Sequence, residues 1–201
     1  MSMIAALTKI FGSKTKAQEI VLLLQEAKEV VRQGFYAAEL PAVEEFCQKN
    51  GLFLVKSKFK ILLDDKEQNY SNKGLRIAKN DPRPGMHFVY ISKDESRALL
   101  ASYAEMMNRR KELGEILGYP ECCIGFFVNN FRSDNTDLEL SPKNEWTNLS
   151  KRGEDVVLLS HFPCSSDCEE SITLAKQYFE AIMKVDAERA EEMLNILKVK
   201  K

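Results

Sequence analysis

The sequence predicts an α+β protein: a helical N-terminal segment, a small antiparallel sheet, and a helical C-terminal half that carries a four-cysteine site. Three observations predict it. Apolar residues recur at helical spacing over most of the chain. They alternate at two-residue spacing within residues 52–63, and a second strand-like run follows at 87–91. Four of the five cysteines fall in two short patches, Cys122-Cys123 and Cys164 to Cys168. A chain of 201 residues with 44% hydrophobic content can bury a substantial core without cysteine staples. The expected organisation is an α+β lobe over 1–92 and a mainly helical cysteine-site lobe over 93–201, or one compact domain.

Ile4, Leu7 and Phe11, followed by Gly12, predict a short amphipathic helix. Thr15 is placed to cap a second helix, whose apolar face runs through Ile20, Leu23, Leu24, Ala27, Val30 and Val31 before Gly34. Pro41 suits the first turn of a third helix, with Val43, Phe46 and Cys47 inward and Asn50-Gly51 as its stop. Cys47 has no partner cysteine nearby in sequence and reads as a small buried hydrophobe outside the site. Phe53 and Val55, then Phe59, Ile61 and Leu63, alternate as half-buried strands of a hairpin about Ser57. Residues 64–83 have turn composition, and Lys73, Arg76, Lys79 and Arg83 make them locally basic. A solvated loop is preferred there over an anion-binding one. Residues 87–91 read as another strand.

Ser92 and Glu95 stand at capping-box spacing. The helix that follows is expected to bury Leu99, Leu100, Tyr103, Met106 and Met107, continue through Leu113, Ile116 and Leu117, and stop at Gly118. Pro120 then opens a helix over about residues 120–131, with Cys122 and Cys123 in its first turn. Residues 132–148 lack periodicity, contain the only tryptophan, Trp146, and form a long loop of the kind that covers a site when its tryptophan is buried. Val156, Val157, Leu158 and Leu159 predict a short buried strand ending at His161. Ser165 or Ser166 caps a helix striped by Ile172, Ala175, Phe179 and Ile182. Met193, Leu194 and Leu197 resume the stripe after a polar gap at 186–189, read as a bend or a wider exposed face.

Lys plus Arg (29) nearly balances Asp plus Glu (30), so no overall field draws the chain to nucleic acid or to a membrane surface. No apolar run approaches the length of a membrane span, and the run at 4–7 is too short for a signal-peptide core, so the chain reads as cytoplasmic. Five cysteines in such a chain argue for metal binding or thiol chemistry over a secreted disulfide framework. There is no G-x-G-x-x-G, no G-x-x-x-x-G-K-[ST], no H-E-x-x-H and no G-x-S-x-G, so nucleotide binding and hydrolase chemistry lack support.

Each cysteine patch is expected where a loop enters a helix, in the positive field of exposed N–H groups that favours thiolate. Cys122, Cys123, Cys164 and Cys168, with His161 three residues before Cys164, form a soft donor set suited to an iron–sulfur cluster or to zinc. His161 is a candidate ligand or acid/base. The spacings C-C and C-x3-C fit zinc-knuckle templates poorly, which puts an iron–sulfur cluster first and zinc second, ahead of metal-free dithiol or disulfide chemistry and of packing alone. Successive side chains on a regular helix diverge by about 100°. The adjacent pair is therefore expected to sit in an irregular turn or to supply one ligand only, which would leave three protein thiolates and an open iron. The leading expectation is a metal-binding protein in a sulfur- or redox-linked step, with a small-molecule or protein partner. The other class is a structural or interaction protein whose cysteines hold zinc or only pack.

Leu117-Gly-Tyr-Pro-Glu-Cys-Cys123 and Pro163-Cys-Ser-Ser-Asp-Cys-Glu-Glu-Ser171 resemble the two marker segments, LGYPxCC and PCSxxCxxS, of an uncharacterised, largely archaeal family. The resemblance covers mainly the C-terminal half. It implies that the two patches act as one unit and implies no activity.

Overall fold

The N-terminal helices form about the apolar residues that the sequence marks. A computed structural model describes residues 2–63 and 73–199. Helix α1 (Met3–Phe11) is capped by the Ser2 side chain, buries Ile4, Leu7 and Phe11, and ends at Gly12, whose φ of 81° is left-handed. Helix α2 (Lys14–Leu24) is capped by Ser13 rather than Thr15 and stops sooner than its stripe suggests. Glu26 adopts a φ of 60°, and Val30 and Val31 enter strand β1 (Val30–Phe35). A β-branched pair satisfies a helical stripe and a buried strand alike, so periodicity alone misplaced it. Helix α3 (Leu40–Lys49) starts with Pro41 in its first turn and buries Val43 and Cys47.

Strand β1 pairs antiparallel with β5 (His87–Ser92), which pairs on its other side with β2 (Phe53–Lys56). The expected hairpin about Ser57 does not form. Strand β3 (Phe59–Leu63) pairs instead with β4 (Gly74–Ala78) in a second, two-stranded sheet. Ser57 marks the crossing: its N–H donates to the Phe88 carbonyl, and its buried hydroxyl donates to the Phe59 carbonyl while accepting from Phe88 N–H. Strand β4 also occupies part of the predicted basic loop, and Arg76 donates to the Glu105 and Met106 carbonyls. Residues 64–72 of that loop lie outside the described residues.

Helix α4 (Glu95–Met106) is capped by Asp94 rather than Ser92, whose hydroxyl donates to the Glu29 carbonyl. Its buried side is Ala98, Ala101 and Ala104, whereas Leu99, Leu100, Tyr103, Met106 and Met107 are exposed. The alanines allow close approach of the helix to Val30 and Tyr90 of the sheet, which larger side chains would prevent. Asn108, with φ 57°, separates α4 from α5 (Arg110–Ile116). Helix α6 (Glu121–Asn130) packs on α5 at Gly114, where an added Cβ would stand 2.8 Å from Ile124 Cγ1.

Helices α7 (Glu169–Val185) and α8 (Ala187–Leu197) meet at a bend at Asp186, whose carboxylate accepts the backbone N–H groups of Arg189 and Ile4. The larger core gathers α1, α2, α3, β1, β5, α7 and α8 with Val156, Val157, Leu158 and Leu159. Those four residues are buried as expected but form no strand. Gln18 and Arg152 side chains donate to the carbonyls of Val157 and Leu159 where a ladder would otherwise serve. Among the described residues no helix is long and apolar enough to cross a membrane.

Candidate metal centre

Two helix N-termini bring the cysteines together. Cys122 and Cys123 occupy the first turn of α6, and Cys168 is the N-cap of α7, with Cys164 in the turn before it. The four sulfurs all lie within 4.8 Å of one another. Cys122 Sγ is 3.8 Å from Cys123 Sγ and 3.6 Å from Cys168 Sγ, and Cys123 and Cys168 are 3.7 Å apart. This corrects the expectation that a regular helix would keep adjacent cysteines from sharing a site. Cα–Cβ bonds lean towards a helix N-terminus, and in the first turn no preceding turn obstructs them. Both side chains therefore reach back over the same helix end.

Neither Ser165 nor Ser166 caps α7. Ser165 Oγ accepts from Asp167 N–H, and the buried Ser166 hydroxyl donates to the Ser141 carbonyl. The Ser166 carbonyl in turn accepts from Asn144 Nδ2 and Thr147 Oγ1, both at 2.7 Å. The long loop is thus a brace for the Cys164 to Cys168 turn. Trp146 anchors it by packing edge-on against Phe179 of α7, ring centroids 5.7 Å apart. Trp146 is half-buried rather than buried, and what the loop grips is Ser166.

The electrostatics divide the thiols. Burial alone would raise Cys168, yet hydrogen bonds from the Ser171 side chain and backbone and from Cys122 and Cys123 lower it to about 7. Cys123 is pushed up to about 12 by burial, against hydrogen bonds from Ser171 and from the Cys164 N–H, with Cys168 adding to the rise. Cys122 is raised as well, by desolvation and then by its sulfur neighbours. Hydrogen bonds, those of Ser171 foremost, thus favour a first thiolate at Cys168, and that charge opposes the next at Cys123. A cation is what would let all four ionise.

His161 lies outside this group of four sulfurs. Its ring is buried and packs against Tyr119, centroids 4.9 Å apart. Its Nε2 is 2.9 Å from Ser171 Oγ, which is 3.1 Å from Cys123 Sγ. Burial first, then the positive charges of Lys28 and Arg152, lower its pKa to about 3, so the ring is neutral. With the proton on Nε2 the ring donates to Ser171, and the serine hydroxyl is free to donate to the Cys123 sulfur. The other tautomer would turn that hydroxyl away from sulfur. Ser171 closes the second cysteine segment, and its position three residues after Cys168 on a helix is the sequence signal that sets it beside the thiols. Cys47 is buried in the α3 core, and burial raises its thiol to about 12.

Tyr119, whose hydroxyl is 3.3 Å from Ser160 Oγ, links this site to a buried ion pair. Lys28 Nζ lies 2.5 Å from Glu19 and donates to the same serine at 2.9 Å. It also stands 5.7 Å from the Tyr119 ring centroid.

Residues 96–198 match the model of a family described as a protein of unknown function, DUF483. The uncharacterised protein MJ1106 of Methanocaldococcus jannaschii is 36% identical over 91 residues, covering 41% of this chain and 49% of that protein. A UPF0758 protein of Aquifex aeolicus is 30% identical over 104 residues, covering 51% of this chain and 44% of that protein. The chain thus spans about half the length of these curated relatives. No solved structure matches it.

Proposed function

The chain belongs to the DUF483 family of proteins of unknown function, and from that premise we propose that it is a zinc protein in which Cys122, Cys123, Cys164 and Cys168 hold one ion. One observation carries this reading: three sulfur separations of 3.6, 3.7 and 3.8 Å. Zn–S bonds of about 2.3 Å directed to the corners of a tetrahedron place sulfurs roughly 3.8 Å apart. In a cubane each thiolate binds a different iron, which demands wider spacing than four sulfurs within 4.8 Å. These separations favour a single ion over the iron–sulfur cluster expected from sequence spacing. Soft thiolate donors in a tetrahedral set suit zinc. Bound there, zinc would supply a closed tetrathiolate link between the N-termini of α6 and α7.

Metal analysis and visible absorption on protein purified anaerobically test the reading. The expected result is one zinc per chain in a colourless protein, with tetrahedral tetrathiolate bands after cobalt substitution. A brown protein carrying iron and acid-labile sulfide would instead restore the cluster.

A further inference from the structure

We propose that the outward face of α4 docks against α4 of a second copy of this chain, the two helices lying antiparallel across a twofold axis near Tyr103. A surface helix ordinarily turns one apolar stripe to the core and a polar face to water. Helix α4 is apolar on both sides. Ala98, Ala101 and Ala104 face the core, whereas Leu99, Leu100, Tyr103, Met106 and Met107 are each between 39% and 55% exposed. At about 100° per residue these five fall within roughly 120° of the helix circumference, opposite the alanines. Leu99, Tyr103 and Met106 are spaced four and then three residues apart, and Leu100 and Met107 seven, which is the spacing of a seam that meets another helix. A contiguous apolar patch of this kind marks an interaction site.

The charges at the two ends of the stripe select the occupant. Between those ends, Arg97 and Glu105 point away from the stripe and are engaged by Glu29 and Arg32. Glu95, in the first turn, is exposed and makes no ion pair among the described residues. Beyond the other end stand Arg109, Arg110 and Lys111. The Arg109 guanidinium lies 5.5 Å from the Tyr103 ring centroid and so borders the stripe. Its ion pair with Glu112, at 3.2 Å, is half exposed, a setting in which such pairs contribute little. One end is therefore acidic and the other basic. An antiparallel copy sets each acidic end against a basic one, and a parallel copy sets like against like. Glu95 precedes Tyr103 by eight residues and Arg109 follows it by six, so a twofold near Tyr103 brings Glu95 close to Arg109 of the other copy. Tyrosine and arginine are also the residue types that dominate interface energies. The proposal does not rest on the single-ion reading, since no residue of the stripe belongs to the cysteine cluster.

Sedimentation equilibrium of the full chain as purified, kept reduced, tests this over about a hundredfold range of concentration. A monomer–dimer equilibrium is expected. The mass of one chain at every concentration would overturn the proposal and leave the face to a partner of other chemistry. Leu100→Glu should raise the dissociation constant at least about tenfold with unchanged helix content by circular dichroism. Leu100→Ser, which adds no charge, should weaken the dimer in the same direction and reads the position should the glutamate variant not fold. Glu95→Arg and Arg109→Glu should each weaken it about fivefold, because each change acts twice across the twofold. The double variant should return to within about twofold of wild type. Residues 95 and 109 are roughly 20 Å apart along the helix, too far to pair within one chain, so recovery reports a contact between copies. A dimer unaffected by either change at Leu100, or a double variant no tighter than the single ones, would overturn the proposal.

Discussion

The Ser171 hydroxyl lies 3.1 Å from the Cys123 sulfur and 2.9 Å from His161 Nε2, so one serine joins a buried neutral imidazole to the sulfur cluster. Ser171→Ala would remove the donor to Cys123 and leave the imidazole N–H unpaired. A loss of about 1–3 kcal/mol in stability is expected from the stranded buried group. Metal affinity should fall about 10- to 100-fold, as when a partner of a ligand is removed. Urea unfolding of the metal-free protein and chelator competition of the loaded one measure the two effects separately.

His161 makes stability fall in mild acid. Its folded pKa of about 3 is below the ordinary 6.5, so between these values the unfolded chain binds the additional proton. Its contribution is therefore intact above about pH 6.5 and is lost as the pH falls towards 3, at about 1.4 kcal/mol per pH unit. The difference in urea midpoint between wild type and His161→Gln, followed from pH 7.5 to 5, isolates this group from the carboxylates. A difference that does not change with pH would show that the ring takes up its proton in the fold as readily as in the unfolded chain.

Metal loading should release protons in a pH-dependent number. Cys122 and Cys123 are raised, Cys123 to about 12, so both carry protons at neutral pH and must give them up to bind. Cys168, at about 7, adds another proton only below that pH. Calorimetric titration in buffers of different ionisation enthalpy is expected to report at least two protons released at pH 8 and more at pH 6, with apparent affinity rising with pH.

Removal of single sulfurs should separate the site from the core. Cys168→Ala is expected to abolish metal retention. Cys47→Ala, in the buried face of α3, should leave one metal per chain and cost only core packing. Metal analysis after gel filtration reads both.

Gly114→Ala should destabilise the approach of α5 to α6. An added methyl would meet Ile124 at 2.8 Å, and overpacking of this kind costs about 1–3 kcal/mol. The loss should appear in urea midpoints of the metal-free protein.

Most elements were legible where one signal had one meaning. Ile4, Leu7 and Phe11 with Gly12, or Pro41 with Asn50-Gly51, allow a single helix each. The failures have a common form. Val30-Val31 suited two periodicities, and the sheet chose. On α4 the bulky residues drew attention from Ala98, Ala101 and Ala104, although close helix-to-sheet packing selects small side chains. Ser57 appeared to be a turn because a hairpin is the shortest connection, yet its hydroxyl serves two sheets. At the site, residue types pointed to Cys122, Cys123, Cys164 and Cys168, which the fold does bring together. Linear spacing misdirected the reading of their geometry, because it ignored how side chains lean at a helix end. The Ser166 brace was not legible, since it depends on contacts 19 to 25 residues apart in the chain.

The sulfurs of Cys122 and Cys168 are 46 residues apart in sequence, and the whole irregular segment with Trp146 runs between them. An ion that joins these ends closes a ring of chain as a disulfide would. For a ring of this length the chain-entropy model gives about 4 kcal/mol of stabilisation, drawn from the freedom denied to the unfolded chain. With an ion bound, a segment with little helix or strand of its own would need no regular ladder to remain ordered, because the cross-link would remove most of the alternatives open to it.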